Sequence, residues 1–348
     1  MGPSIGLDPK GSAFVSRKYD VIGLGNALLD SLVTTDDQVV SALGFDRGLM
    51  HVVDHGPWMD AYGRFPSEEV SLQTGGSAAN TIAALGLMGG NARFRGHVGR
   101  DDMGSLYAKQ MENACGGHAI TAGDEDATGK CLSLVSKEDA ERTMLTHLGA
   151  APLMPGLGAL QELIPNAQVF HVTGYAFLGG AIKDVAIEAI KLAKASGTKV
   201  SIDVADPFVV STIKEELTGL LEEYADIVFM NSEEAKAVCD GIPAEEAIDR
   251  LSETVSTIVV KLGAKGSRVR HQGETADIRV ERVEAVDTTG AGDSYASGFL
   301  YGITRGWNGA KAGELGSRIA AMTVSQMGAV VRDADALREA VQAVEASV

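Results

Sequence analysis

The sequence VDTTGAGDSYASGFLY, residues Val286–Tyr301, carries the strongest signal in the chain. Its apolar residues recur at helical spacing after Gly292, so we expect a helix to begin near that residue. Small residues ahead of a helix leave its first backbone N–H groups free, and these donors, with the positive end of the helix dipole, form an anion site. Asp293 follows in the first turn. A carboxylate at that position can take a proton from a hydroxyl while the site holds developing negative charge.

Taken alone, the loop also fits a simpler interpretation, a glycine turn followed by a capped helix. The wider sequence favours the interpretation as an anion site with a catalytic carboxylate. DTTGAGD followed by a helix of small and aromatic residues resembles the C-terminal signature of the ribokinase-like (PfkB) sugar and nucleoside kinases. GGSAAN from Gly75 and VGRDDMG from Val98 resemble the N-terminal signature of that family. The resemblance covers about residues 19–335. It implies the cofactors ATP and Mg²⁺, the catalytic base Asp293, an anion hole of Gly290, Ala291 and Gly292, and contact of Thr289 with ATP.

Length and composition describe an ordinary globular protein. The 348 residues are 45% hydrophobic and 22% charged, which is ample for a core. The net charge of −17 argues against a general binder of nucleic acid or anionic membranes, since phosphates attract basic surfaces. Cys115, Cys131 and Cys239 are widely spaced, so the sequence indicates neither a disulfide framework nor a zinc site, and a reducing cytoplasm fits. No apolar run reaches the ~18 residues of a transmembrane helix.

The first candidates for binding an acceptor substrate are Asn26 and Asp30 in the segment GNALLD. They follow a predicted strand at 20–24, and α/β folds place ligands just beyond strand ends. An amide and a carboxylate there would hydrogen-bond sugar hydroxyls, although both residue types also favour turns. Leu28 occupies the third glycine position of a dinucleotide-binding fingerprint, which disfavours an NAD-dependent oxidoreductase.

A second group of substrate-binding candidates is Gly75, Gly76 and Asn80. The glycines would admit a ligand close to the backbone, and Asn80 lies one turn inside the helix that follows. The alternative is a glycine turn ahead of a tightly packed, alanine-rich helix.

From residue 167 onward, strand patterns alternate with helix patterns, as in a mostly parallel sheet with right-handed crossovers. Residues 31–60 contain short apolar segments that read as strands rather than helices, and 126–148 also have strand character. We therefore predict a ribokinase-like α/β fold over 19–348, with a central, mostly parallel sheet flanked by helices. The segments at about 31–60 and 126–148 would form a small β lid. Residues 1–18 read as a loose N-terminal tail.

Two turns in the second half are candidates for binding ATP and metal. Asn231, with Glu234 three residues later, fits a helix capping box. By the resemblance, Asn231 instead lies near the nucleotide, and the pair binds Mg²⁺ through water molecules. The segment KLGAKG fits a hairpin turn or, by the resemblance, a turn beside ATP that contacts it through Lys261, Gly263 and Gly266. The resemblance also implies K⁺ near the DTTGAGD loop, with Asp287 as a candidate ligand.

The acceptor is left open between a nucleoside and a sugar. GNALLD, the segment at 206–208 and TGKC at 128–131 look closest to adenosine kinases, in which an aromatic side chain near 172–177 stacks on adenine. Tyr175 and Phe177 are the candidates. DTTGAGD departs from the animal adenosine kinases, which tend to have Asn as the third residue, and this leaves open a kinase for ribose, fructose or ketodeoxygluconate.

A non-catalytic sensor of nucleosides or sugars is an alternative from another class, which the presence of Asp293 disfavours. We expect a small-molecule acceptor as the partner, no nucleic acid and no membrane, and a cytoplasmic location. A monomer and a homodimer are both compatible with the sequence.

Overall fold

The computed structural model describes residues 5–7, 13–15, 17–139 and 141–347 of the chain. Its strands are β1 (Ile5–Leu7), β2 (Ala13–Val15), β3 (Tyr19–Leu24), β4 (Leu28–Thr35), β5 (Met50–Val52), β6 (Ser71–Gly75), β7 (Ala92–Arg95), β8 (His97–Gly99), β9 (Thr121–Gly123), β10 (Gly129–Ser136), β11 (Arg142–His147), β12 (Ala167–Thr173), β13 (Lys199–Asp203), β14 (Ile227–Asn231), β15 (Thr257–Lys261), β16 (Ser267–His271) and β17 (Glu274–Ile278). Its α-helices are α1 (Asp37–Ala42), α2 (His55–Tyr62), α3 (Ser77–Leu87), α4 (Asp102–Cys115), α5 (Leu160–Leu163), α6 (Ala181–Ala195), α7 (Pro207–Tyr224), α8 (Ser232–Val238), α9 (Ala244–Leu251), α10 (Ala291–Ile303), α11 (Gly309–Val324) and α12 (Ala334–Ala346).

Eight of the described strands form the main sheet, in the order β17-β16-β15-β14-β13-β12-β3-β7. The strands from β15 to β7 are parallel, and β16 and β17 extend the edge as antiparallel hairpins. Strand β14, with its apolar run IVFM, is typical of a parallel strand that is buried on both faces. The predicted α/β class with a central, mostly parallel sheet is confirmed. Because the strands are parallel, their carboxyl ends meet at one edge, which ends in Leu24, Thr173, Asp203, Asn231 and Lys261.

Helices cover both faces of the main sheet. Helix α6 shows how, because its buried residues follow the three-and-four spacing of one helix face. Those residues pack with α7, α8 and α9 against one face of the sheet. The opposite face is covered by α3, α4, α10, α11 and α12. The ends of α3 and α10 thereby come to the carboxyl edge of the sheet.

Five of the described strands form a second sheet, which we call the lid sheet, in the order β5-β11-β10-β4-β6. Its outer face carries a small apolar cluster built around Trp58, Leu132 and Leu145. The predicted segments at about 31–60 and 126–148 contain most of this sheet. Strand β6 completes it from outside those two segments.

The prediction that residues 31–60 hold strands rather than helices is wrong over Asp37–Ala42 and His55–Tyr62. These two-turn helices are too short to show a clear helical period. Each buries only one or two side chains, Val40 in the first and Trp58 and Ala61 in the second. Packing against the lid sheet therefore decides their conformation, and not their local pattern.

The prediction of a loose tail over 1–18 falls largely on residues outside the described ranges. Of the described ones, β1 and β2 pair in antiparallel fashion. Arg17 donates hydrogen bonds to the carbonyl oxygen of Ala167, at 2.7 Å, and to that of Ser196, at 2.9 Å. Within the described ranges, no helix has both the length and the apolar character needed to cross a membrane.

Candidate active site

The loop ahead of α10 forms a tight turn at the carboxyl edge of the main sheet. Gly290 has φ +71°, and a Cβ on it would lie 2.2 Å from the carbonyl oxygen of Ala329, so only glycine fits there. The first backbone hydrogen bond of the helix runs from Ser294 N–H to the Gly290 oxygen at 2.8 Å. Among the described residues, the N–H groups of Gly292 and Asp293 have no acceptor. These are the free donors that an anion site at a helix N-terminus requires.

Asp293 is fixed at this helix end by side chains of α3. Ser77 donates its hydroxyl to one carboxylate oxygen at 2.7 Å, and Asn80 donates its amide to the other at 2.9 Å. Burial raises the pKa of Asp293 to about 6, although these two hydrogen bonds oppose the rise. The group is therefore mainly ionised at neutral pH yet able to accept a proton, as a general base must be.

Ser77 was not among the sequence candidates. The spacing could have indicated Ser77, because it lies three residues before Asn80 and therefore on the same face of a helix. Asn80 was predicted to bind the acceptor, and the structure places its amide nitrogen on Asp293 instead. Its amide oxygen is buried without a hydrogen-bond partner among the described residues.

The predicted acceptor residues Asn26, Asp30, Gly75 and Gly76 come together where β4 and β6 leave the main body. A Cβ on Gly75 would lie 2.3 Å from the Asp30 carboxylate, and one on Gly76 would lie 2.2 Å from the Asn26 carbonyl oxygen. Gly76 has φ +92°, a conformation that favours glycine. The two glycines therefore make room for this arrangement of Asn26 and Asp30.

Two polar side chains of this cluster, Asn26 and Asp30, lie in surroundings that favour a ligand. The side-chain oxygen of Asn26 is buried without a hydrogen-bond partner among the described residues. Burial raises the pKa of Asp30 to about 7, while the charges of Arg142 and Arg332 lower it and that of Asp293 raises it further. Buried acceptors of this kind are satisfied when a ligand donates hydroxyl hydrogens to them.

Asn231 and Glu234 form the capping box that their spacing predicts. The Asn231 oxygen accepts from Glu234 N–H at 2.8 Å, and a Glu234 oxygen accepts from Asn231 N–H at 2.8 Å. Burial and the nearby charge of Asp203 raise the pKa of Glu234 to about 7. Searched within the described residues, no group of three or more His, Cys, Asp or Glu side chains could hold a metal. The oxygens of Asn231 and Glu234 are of the type that holds Mg²⁺ through its water molecules.

Lys261 ends β15, and the KLGAKG turn that follows joins it to β16 as an antiparallel hairpin. Its ammonium lies 2.9 Å from a carboxylate oxygen of Asp203 at the end of β13. A Cβ on Gly292 would lie 3.0 Å from the same ammonium. Asp203 was missed in the sequence, because no local pattern relates residues 203 and 261.

A cavity of about 580 Å³ opens between the KLGAKG hairpin, the start of α10 and helix α11. Gly263, Ala264 and Gly266 line one side of it, and Gly292 lies at its border with the anion loop. The remaining wall is largely apolar and includes Val280, Val283, Ala285, Tyr295, Ala320, Ala321 and Val324. A flat, apolar group joined to an anionic one fits this combination of wall and loop.

Asp287, the candidate ligand of K⁺, is already paired. Arg142 of the lid sheet donates a hydrogen bond to one of its oxygens, which also accepts from Gly328 N–H at 2.8 Å. The other oxygen accepts from Thr289 N–H at 2.9 Å, and Arg142 also donates to the Thr289 hydroxyl at 2.8 Å. Because the guanidinium neutralises Asp287, the arrangement does not fit K⁺ at this carboxylate. Thr289, predicted to contact ATP, here joins the anion loop to the lid sheet.

The pfkB family carbohydrate kinase domain matches residues 60–335. The chain belongs to the PfkB family. Members of this family are kinases, and membership makes the chain an ATP-dependent kinase, usually with Mg²⁺.

PfkB relatives with different acceptors resemble this chain. Yeast (Saccharomyces cerevisiae) adenosine kinase is 26% identical over 277 residues, covering 75% of this chain and 80% of that protein. A 5-dehydro-2-deoxygluconokinase from Clostridium perfringens is 28% identical over 274 residues, covering 74% and 80%. The crystal structure of adenosine kinase from Sinorhizobium meliloti matches with a TM-score of 0.82 at 31% identity, covering 93% of this chain and 99% of that one. The comparisons thus establish the kinase and the ribokinase-like fold, and leave the acceptor between nucleoside and sugar.

The two aromatic candidates for stacking on a base lie in different surroundings. Phe177 is 0% exposed and belongs to the hydrophobic core, so this PfkB kinase does not present it to a ligand. Tyr175 is partly buried, and its hydroxyl donates to Asp206 at 3.1 Å. Burial and the charge of Asp206 raise the pKa of Tyr175 well above its usual range, so it stays a neutral donor.

Proposed function

We propose that this PfkB kinase transfers the γ-phosphoryl group of ATP to a primary hydroxyl of a nucleoside, with adenosine favoured. The observation that carries the choice of a nucleoside is the inner face of the lid sheet. That face combines one carboxylate with a flank of exposed apolar side chains. The hydroxyls of a ribose would hydrogen-bond to the carboxylate, and a base would cover the apolar side chains.

Strand register defines the inner face of the lid sheet. Asp30 pairs with Cys131, Cys131 with Thr146, and Thr146 with Val52, so their side chains point to one side. Arg142 lies four residues before Thr146 on β11 and shares its face. Since Arg142 reaches Asp287 at the anion loop, this face is the one turned toward the body.

The apolar flank lies at the β5 end of that row, with β10 and β11 between it and Asp30 on β4. Val52 is 68% exposed, and Met50, on the same face of β5, is 48% exposed. Leu148, next to the end of β11, is 38% exposed. Large apolar side chains that stay exposed around a polar cleft are typical of a binding surface. A purine base over this flank would bury them while its ribose hydroxyls reach Asp30 and Asn26.

The proposed reaction is an in-line displacement. The acceptor hydroxyl gives its proton to the Asp293 carboxylate, and its oxygen forms the new bond to the γ-phosphorus. The bond from that phosphorus to the bridging oxygen breaks, and ADP leaves. The free N–H groups of Gly292 and Asp293 stabilise the charge on the transferring group. Mg²⁺, bound with ATP, supplies neutralisation of phosphate charge, and the capping-box side chains Asn231 and Glu234 would hold its water molecules.

The apolar cavity beside the KLGAKG hairpin is the proposed site of the ATP base. Gly263 and Gly266 would contact ATP through their backbone, as the resemblance implies. Thr289 would also contact ATP once Arg142 releases its hydroxyl. Lys261 lies between this cavity and the anion loop.

A sugar acid is the second candidate acceptor, and two observations favour it. The relatives named 5-dehydro-2-deoxygluconokinase are as similar to the chain as the yeast adenosine kinase. The guanidinium groups of Arg142 and Arg332 lower the pKa of Asp30, so two cations lie close enough to attract the carboxylate of a sugar acid.

The test is ATP consumption with one acceptor at a time: adenosine, inosine, ribose, fructose and 5-dehydro-2-deoxygluconate. We expect the largest kcat/KM for adenosine, with 5′-AMP identified by mass as the product. A larger kcat/KM for a sugar would overturn the choice of nucleoside, and no turnover with any acceptor would overturn the proposed reaction.

A variant of the apolar flank separates the two acceptors further. Val52→Ser should raise the KM for adenosine about tenfold, since losing one buried apolar contact costs about 1–3 kcal/mol. It should leave any turnover of ribose unchanged. His51→Ser is the matched control, because His51 points to the opposite face of the same strand.

A further inference from the structure

Lys261 supplies a buried positive charge beside the anion loop. Its side chain is 16% exposed and that of its partner Asp203 is 4% exposed, so the ion pair is largely shielded from water. The carboxylates of Glu234 and Asp293 also lie within electrostatic range, and both raise the pKa of Lys261 against the effect of burial. Three acidic groups therefore surround this ammonium.

The strand order explains this placement. Asp203 and Lys261 end β13 and β15, which flank β14 on the same sheet edge. Asp203 is the register partner of Phe229 and Lys261 that of Asn231, and the two side chains meet across β14. The ammonium lies against Gly292, because a Cβ there would lie only 3.0 Å from it. Glycine at 292 thus leaves space for the lysine as well as for a phosphate.

Asp203 is held in turn by the loop that follows β13. Its second oxygen accepts from Ala205 N–H at 3.1 Å. Ala205 has φ +78°, a strained conformation that alanine rarely adopts. Buried ion pairs are often no more stabilising than apolar residues of similar size. Strained backbone, shielding from water and a position beside the anion loop together indicate a role for the pair beyond stability.

We propose that the ammonium of Lys261 is a catalytic group that stabilises the transferring phosphoryl group. Asp203 holds this ammonium against Gly292 of the anion loop. The proposal rests on the proposed phosphoryl transfer. In that step the acceptor oxygen bonds to the γ-phosphorus, its proton goes to Asp293, and the bridging oxygen leaves with ADP. Lys261 keeps its protons throughout and interacts with the phosphoryl oxygens, while Asp203 is a positioning residue.

Replacing Lys261 by methionine removes the charge and keeps the length of the side chain. We expect Lys261→Met to lower kcat by about 10²–10³, the usual effect of losing one electrostatic contact made in the transition state. The KM for the acceptor should change little. Lys261→Arg should recover part of the rate, because it restores the charge with a different shape. Lys214→Met is the matched control, since Lys214 pairs with Asp240 at 2.8 Å on the exposed surface.

Lys261→Met leaves Asp203 buried without its partner, which can prevent folding. The double variant Lys261→Met/Asp203→Asn removes both charges and avoids this. It should fold, as circular dichroism would show, and still have the low kcat of the single variant. Normal turnover of the folded double variant would overturn the proposal.

The pH profile distinguishes this role from a purely structural one. Asp293 faces Ser77 and Asn80 on α3 and the charges of Asp203, Lys261 and Asp30. The Lys261 charge lowers the pKa of Asp293 and the Asp203 charge raises it. The acid limb of kcat/KM should therefore move to higher pH in Lys261→Met and to lower pH in Asp203→Asn. An acid limb that stays at the same pH in both variants, or that shifts in the same direction in both, would overturn the proposal.

Failure of this inference can be told from failure of the proposed reaction. If Lys261→Met turns over normally while Asp293→Asn is impaired, phosphoryl transfer through Asp293 stands and the role of Lys261 falls. If Asp293→Asn turns over normally, the proposed reaction itself is wrong.

Discussion

The anion loop and the lid sheet face the same cleft, but they are fixed in different ways. Asp293 on the loop is held by two side chains of α3, and α10 itself packs along α11 in the body. Within the described ranges no side chain holds the Asp30 carboxylate of the lid sheet in this way, and Gly75 makes the space beside it. In the part of the chain that the structure describes, the polar contacts that join this sheet to the C-terminal half are chiefly those of Arg142 with Asp287 and Thr289 and of Arg332 with Thr74.

This difference separates chemistry from the choice of acceptor. A base such as the proposed Asp293 must keep a fixed position relative to the phosphoryl group, which suits the part of the molecule with a large core. The proposed acceptor surface would open for substrate and close over it, which suits a sheet joined by a few polar contacts that can exchange partners. Damage to the loop should therefore affect kcat, and damage to the lid sheet should affect binding of the acceptor.

The largest effect is expected from Asp293→Asn. We predict that kcat falls by about 10²–10⁴, the usual contribution of a general base, while ATP and acceptor bind with similar affinity. Steady-state kinetics and calorimetric binding measure the two quantities. If Asp293 only capped its helix, asparagine would serve equally well. Asp333→Asn is the matched control, because Asp333 caps α12 through its side chain. Similar turnover in both variants would contradict the assignment.

The second-largest effect is expected from a substitution in the lid sheet, and it concerns acceptor binding. Asp30→Ala should weaken acceptor binding by one to two orders of magnitude, since a hydrogen bond to a charged group contributes about 1.5–3 kcal/mol. Its kcat at saturating acceptor should fall much less than that of Asp293→Asn. Asp36→Ala is the control, because Asp36 follows the same strand but pairs with exposed Lys137 at 3.1 Å. Unchanged acceptor affinity in Asp30→Ala would exclude Asp30 from the site.

The pH dependence tests whether the loop supplies the base. Burial raises the pKa of Asp293 to about 6, and the base works only in its ionised form. Because the pKa of Asp30 is raised to about 7 and Asp30 is proposed to act in acceptor binding, the measured quantity is kcat at saturating acceptor. This kcat should be level above about pH 6 and fall about tenfold per unit as pH drops below it. Circular dichroism at each pH would show that the protein stays folded. A level profile between pH 5 and 7 would contradict a base with this pKa.

The smallest effect concerns the ion pair of Arg142 with Asp287, which joins the lid sheet to the anion loop. Because Arg142 neutralises Asp287, we expect similar turnover in K⁺, Na⁺ and Tris buffers. Arg142→Gln should expose Asp287 and make turnover sensitive to the cation. Strong stimulation of the unaltered enzyme by K⁺ would instead support the K⁺ site that the resemblance implies, and would mean that Arg142 leaves Asp287 in the working enzyme.

Local patterns predicted the body well. The alternation of helix and strand patterns predicted from residue 167 onward is observed, for example in α6 (Ala181–Ala195) and β13 (Lys199–Asp203). Their periodicity is strong because each packs along its whole length against the core. The lid sheet was only partly predicted, because its helices α1 and α2 are short and its strand β6 lay outside the segments with clear strand character.

The sequence by itself determined the parallel sheet, the turn at Gly290, the helix that begins after it and the capping box at Asn231, because each depends on residues close together in the chain. It also marked Asp293 and Asp30 as candidates by their place at the ends of elements. Only the tertiary structure decided which groups meet. The contacts of Ser77 with Asp293, Lys261 with Asp203 and Arg142 with Asp287 join residues far apart in sequence, and their geometry follows from strand order and helix packing. Such contacts leave no local pattern, since nothing about residue 203 constrains residue 261 until β13 and β15 lie on one sheet.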